Sequence, residues 1–166
     1  MKPLIVFSHG NSFPASTYQV MLDSLRQRGF QVDAVEMYGH DPKYPVTNNW
    51  PNLVQQLADF AREKQGDGEP AFLVGHSLGG ILSLMCAARH PELARGVLMI
   101  DSPVLGGWKA TTLGLAKRTA LVGALSPGRI SQKRRSHWPS LEAALDNFSS
   151  KKAFAKWDPK VLRDYI

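Results

Sequence analysis

Apolar runs and one-sided apolar faces take turns along the first hundred residues. Leu4-Ile5-Val6-Phe7 is a short continuous run that stops at Ser8-His9-Gly10-Asn11. From Thr17 to Arg28 the apolar positions Tyr18, Val20, Met21, Leu22 and Leu25 suit one face of a helix, with Gly29 as the stop. Phe30 to Val35 alternates apolar and polar, as a strand does, and ends before the turn residues Gly39, Asp41 and Pro42. Trp50 to Lys64 predicts a second helix, capped by Asn49, with Pro51 in its first turn and Leu53, Val54, Leu57, Phe60 and Ala61 facing inward. Ala71–Val74 reads as a strand, Leu78–Arg89 as a buried helix and Gly96–Ile100 as one more strand.

This alternation predicts an α/β fold, a parallel sheet with helices on both faces, because parallel strands need helical crossovers and are covered on both sides. After Pro103 the pattern changes. Residues 104–166 read as a helical segment punctuated by Gly106, Gly107, Gly114, Gly123, Pro127 and Gly128, and they end in a helical stretch at Pro159–Ile166. The chain therefore divides into a core at 1–103 and a cap segment at 104–166.

Composition narrows the class without changing it. With 43% hydrophobic and 20% charged residues, the chain is neither disordered nor polytopic, and no stretch reaches the roughly 20 apolar residues of a membrane span. The start lacks the pattern of a secretory signal, and the single Cys86 forms no intramolecular disulfide or cysteine zinc cage, so a cytoplasmic location is expected. The net charge of +6 is unevenly placed. Residues 1–103 carry 8 basic and 10 acidic side chains, and residues 104–166 carry 12 and 4, peaking at Lys133-Arg134-Arg135. An anionic partner and a solvated helical face both fit such a surplus; no nucleic-acid-binding motif accompanies it, so no nucleic-acid partner is expected.

The chemistry concentrates at Gly75-His76-Ser77-Leu78-Gly79-Gly80, a G-x-S-x-G pattern between a predicted strand and a predicted helix. A serine on so sharp a turn stands clear of the sheet, at a helix N-terminus that favours negative charge, and the glycines leave room for the turn. Such a serine is a nucleophile candidate for acyl transfer. A second piece, His9-Gly10-Asn11-Ser12, follows the first strand and offers a backbone N–H of Asn11 or Ser12. With the N–H of Leu78 it would make two donors for a tetrahedral oxyanion. A plain strand-to-helix turn, with His9 satisfied locally, is the other reading of this loop.

Together these residues, and Asp101-Ser102-Pro103 after the Gly96–Ile100 strand, resemble the α/β-hydrolase superfamily. The resemblance covers Lys2 to Pro103. It implies that Ser77 is the nucleophile, that Gly75 and Gly79 shape its elbow, that Asn11 and Leu78 supply the oxyanion hole, and that a small-molecule ester or similar acyl bond is hydrolysed without cofactor or metal. It also implies that the four strands are the third to sixth of eight, and that 104–166 begins the variable cap. The family's order then asks for an acid and a histidine after Ser77. Asp101 sits where some members place the acid, although it also suits a strand cap. No histidine fits: His90 reads as a helix end, His137 as surface, His76 points aside and His40 comes too early. The expectation is an N-terminal part of a serine hydrolase without its last strands, exposing an apolar sheet edge prone to self-association. Three functional readings stand: a carboxylester-type hydrolase, a cofactor-free acyltransferase or C–C hydrolase, and a non-catalytic binding module that keeps the pocket. Phe13, Tyr38, Trp50 and Trp108 lie where they could line it.

Overall fold

A computed structural model of the chain describes residues 2–104 and 137–166. Four strands form one parallel sheet in the order β2-β1-β3-β4: β1 Leu4–Ser8, β2 Gln31–Ala34, β3 Ala71–His76 and β4 Ala94–Ile100. Their crossovers carry α1 Gln19–Gln27, α2 Pro51–Gln65 and α3 Leu78–Arg89. After the core come α4 Leu141–Ser149 and α5 Pro159–Tyr165. Trp108, the glycines from Gly106 to Gly128 and the basic peak at Lys133-Arg134-Arg135 lie outside the described residues.

Period-two alternation in β1 feeds two cores. Leu4 and Val6 pack with Leu53, Leu57, Leu73 and Leu82, beneath α2 and α3. Ile5 and Phe7 pack with Leu22, Val32 and Val74, beneath α1. Helices therefore cover both faces, as the continuous apolar runs require. Cys86 is part of the first core, and burial pushes its thiol up to about 11, which leaves it a packing residue.

Two expected helix starts shift. The first helix begins later, at Gln19, after a 3-10 turn at Ala15–Tyr18. The cause is tertiary: Glu36 holds Ser16 through its amide and hydroxyl, and the Glu36 carbonyl accepts the Ala15 N–H at 2.9 Å. Asn49 does not cap α2. The cap residue is Trp50, in a left-handed conformation (φ 52°) with no side-chain cap bond, and Pro51 opens the helix. Pro51 has no N–H that needs a cap, and Trp50 is held by packing on the first core.

The sheet order places the site. β1 and β3 are neighbours, yet β1 runs on to α1 on one face and β3 to α3 on the other. Their C-terminal ends part there and open a crevice, the usual place for a ligand in such sheets.

At the far edge, β4 pairs only with β3 among the described residues, and Val97 and Leu98 are 37% and 57% exposed. An uncovered apolar edge pairs with other chains. The 166-residue protein is therefore expected to self-associate in light-scattering chromatography, and Leu98→Lys to shift it toward monomer. A wild-type chain that is monomeric at every concentration would contradict this.

Candidate active site

Ser77 sits between β3 and α3 with φ 52° and ψ −117°, backbone values that non-glycine residues rarely adopt. Its surroundings hold it there. The Ser77 N–H donates to the Ile100 carbonyl at 2.9 Å, and the Ser77 carbonyl accepts from Gly80 and Ile81 at 3.1 and 3.3 Å. The glycines around it are required by space. A Cβ on Gly75 would fall on the Gly79 carbonyl, and one on Gly79 would fall on the Ser8 carbonyl and within 2.6 Å of the His9 oxygen. The first turn of α3 thus lies directly against the end of β1.

That close approach brings the loop after β1 beside the elbow. Its turn is closed by Phe13 N–H donating to the Gly10 carbonyl at 3.1 Å, with Ser12 left-handed at φ 64°. His9 anchors it from below. The Tyr38 N–H donates to His9 Nε2 at 2.8 Å, so Nδ1 carries the proton and donates to the Gly10 carbonyl at 2.7 Å. Both ring nitrogens are committed, and burial holds the ring's pKa below its ordinary 6.5. His9 is a structural group, as its local reading anticipated.

A pH signature follows. The folded chain keeps His9 neutral while the unfolded chain protonates it, so the contribution is complete above about pH 6.5 and declines as pH falls below that value. The urea midpoint is expected to drop on acidification, and His9→Asn to flatten the drop. An unchanged pH slope in that variant would remove the assignment.

Asn11 and Leu78 line one cavity of about 400 Å³, together with Phe13, Tyr38, His40 and Trp50. The backbone N–H groups of Asn11, Ser12 and Leu78 have no hydrogen-bond partner among the described residues. The Leu78 donor is also the first amide of α3, where the helix dipole adds to its pull on negative charge. Free amide donors beside a strained serine are an arrangement that can stabilise an anionic oxygen. On the other side of the loop, a second cavity of about 930 Å³ is walled by Phe13 and by Phe148, Phe154, Trp157 and Tyr165 near α4 and α5. Ser12 and Phe13 line both, and the Phe13 ring lies 5.4 Å from Tyr165 and 6.5 Å from His76 between ring centroids.

The other candidates fall in different places. Asp101 follows β4 with φ 43° and is exposed, and no described group pairs with its carboxylate. His90 caps the far end of α3, 3.0 Å from an Arg62 nitrogen, about 20 Å along the helix from Ser77. His137 is exposed ahead of α4. His40, set aside on chain order, opens on the smaller cavity, with Nδ1 3.2 Å from the Tyr38 carbonyl. None of these rings hydrogen-bonds Ser77 among the described residues. Sequence reading passed over Tyr18 as one more apolar-face position, yet its hydroxyl reaches both Gly10 and His76. Only its being tyrosine where phenylalanine would pack equally well was a signal. No group of three metal-ligating side chains is found among the described residues.

Comparison with known proteins agrees with the fold. The family model described as alpha/beta hydrolase family matches residues 5–165. Monoglyceride lipase of Rattus norvegicus is 29% identical over 109 residues, which is 63% of this chain and 36% of the lipase. The 2-(acetamidomethylene)succinate hydrolase of Mesorhizobium japonicum is 32% identical over 104 residues, 60% of this chain and 35% of that enzyme. The crystal structure of an E-2-(acetamidomethylene)succinate hydrolase superposes with a TM-score of 0.68 at 23% identity, covering 99% of this chain and 56% of that one. The aligned part is thus about a third of each curated relative, and about half of the solved structure.

Proposed function

The chain belongs to the alpha/beta hydrolase family, and from that premise we propose that it cleaves an ester or similar acyl bond through Ser77. Ser77 Oγ attacks the acyl carbon, the carbonyl π electrons move onto oxygen, and the Leu78 and Asn11 amides hold that oxyanion. Collapse breaks the bond to the alkoxide, which leaves as the alcohol with the proton that the Ser77 hydroxyl gave up, and water then cleaves the acyl-enzyme, its hydroxyl going to the acid and its proton back to Ser77 Oγ. The observation that carries this reading is the left-handed Ser77 locked between β3 and α3, with the free Leu78 N–H next to it.

The substrate class follows from the cavities. Aromatic and aliphatic walls on both sides of Phe13 suit an apolar acyl group. Tyr165 of α5 packs on Phe13, with ring centroids 5.4 Å apart, and that contact supports a cap role for the segment that carries α4 and α5. Asp101 is the carboxylate this chain offers for orienting a base.

One observation favours a second reading. No histidine hydrogen-bonds Ser77 among the described residues, which suits a binding module that keeps the pocket without the chemistry. Hydrolysis of p-nitrophenyl butyrate by the protein, beside Ser77→Ala, separates the two. Turnover that depends on Ser77 supports the hydrolase; equal rates from a folded pair support the binding module.

A further inference from the structure

Two elements must keep their spacing if Asn11 and Leu78 are to act on one oxygen. They leave adjacent strands toward opposite faces of the sheet, and the β1–β3 pairing ends at Ser8 and Gly75. Beyond that pair, one side chain spans the gap. The Gly10 N–H donates to the Tyr18 hydroxyl at 3.1 Å, and the same hydroxyl lies 2.7 Å from His76 Nδ1. Gly10 immediately precedes Asn11, and His76 immediately precedes Ser77. No other hydrogen bond joins the 10–13 loop to the 75–78 elbow among the described residues.

We propose that Tyr18 is a positioning residue: its hydroxyl clamps the Gly10–Asn11 loop to the His76–Ser77 elbow and sets the distance between their amide donors. The inference rests on the hydrolase reading of Ser77. Three features make the clamp specific. The ring has its own anchor, because it packs on the buried Phe7 of β1 with centroids 4.8 Å apart. A side chain at position 10 would force the junction to shift, because a Cβ would stand 2.8 Å from His76 Nδ1 and 3.1 Å from the Tyr18 oxygen. The phenol also has one proton to give. With the Gly10 N–H on its oxygen, the clamp has it give that proton to His76 Nδ1, which favours the imidazole protonated at Nε2. Burial, which raises the Tyr18 pKa, keeps the phenol protonated for this role.

Tyr18→Phe tests it by removing the hydroxyl and keeping the ring. Nitrogen-15 NMR of the full chain is expected to show His76 as the Nε2–H tautomer in wild type. In the variant, that preference should be lost and the Asn11 and Ser12 amide resonances should move. On p-nitrophenyl butyrate, kcat is expected to fall roughly tenfold, with KM within about twofold and a nearly unchanged urea midpoint, because misplaced groups cost rate more than binding. Gly10→Ala, which wedges the junction apart, should give the same kcat loss with Tyr18 intact. Unmoved His76 and amide signals in Tyr18→Phe would overturn the clamp, as would an unchanged kcat in an enzyme shown to depend on Ser77. If wild type shows no Ser77-dependent turnover, the hydrolase reading fails, and the NMR arm alone decides whether the clamp exists.

Discussion

Ser77→Ala is expected to bring p-nitrophenyl butyrate hydrolysis down to background, a loss on the order of 10⁴-fold or more in kcat, as for other enzymes stripped of a nucleophile. The substitution is clean because alanine and serine meet the same strain at φ 52°. The ties from the Ser77 amide and carbonyl to Ile100, Gly80 and Ile81 also involve no side chain. The urea midpoint should therefore hold while the rate collapses. Each preorganised amide donor typically contributes about 3 kcal/mol to lowering the barrier. Without Oγ, however, those donors have no tetrahedral intermediate to bind. A wild-type rate equal to that of the folded alanine variant would end the hydrolase reading and leave the binding module.

The second large effect is expected at Gly79. A Cβ there meets the carbonyls of Ser8 and His9, backbone atoms fixed by the sheet, so no rotamer change can relieve the contact. Gly79→Ala must push the first turn of α3 away from β1, at a cost of about 3 kcal/mol, the upper part of the overpacking range. Displacing that turn also displaces the Leu78 N–H, so any remaining activity should fall with stability. Gly29→Ala is the control: this glycine takes φ +94° in the turn that ends α1, no atom lies within 4 Å of the added carbon, and only the conformational cost of about 1 kcal/mol applies. Equal urea midpoints for the two variants would show that the elbow is looser than this packing implies.

Much of the core could be read from hydrophobic periodicity. β1, β3, α3 and the outline of α2 appear where apolar runs and faces placed them, because these elements are buried and burial dominates their residue choice. The misplaced boundaries share one cause. At Ala15–Tyr18 and at Trp50 the backbone answers to distant groups, Glu36 in the first case and the core under α2 in the second. Local pattern carries no trace of either.

The candidate site divides along the same line. Ser77 and its glycines were legible because a strained turn between strand and helix demands particular residues in consecutive positions, and so leaves a motif. The bond from the Tyr38 N–H to His9, and the bridge from Tyr18 to Gly10 and His76, were not legible. Those groups lie up to 58 positions apart in the chain, and hydrogen bonds between them are set by where the strands deliver them.

What the sequence determined by itself was a parallel α/β core and a serine on a strained strand-to-helix turn, both consequences of short-range rules about burial and backbone strain. Tertiary structure alone decided which amides stay free among the described residues, which histidines are already occupied and where the aromatic residues near α4 and α5 meet Phe13. Each of those depends on strand order, and strand order brings β1 and β3 together across more than sixty residues of chain.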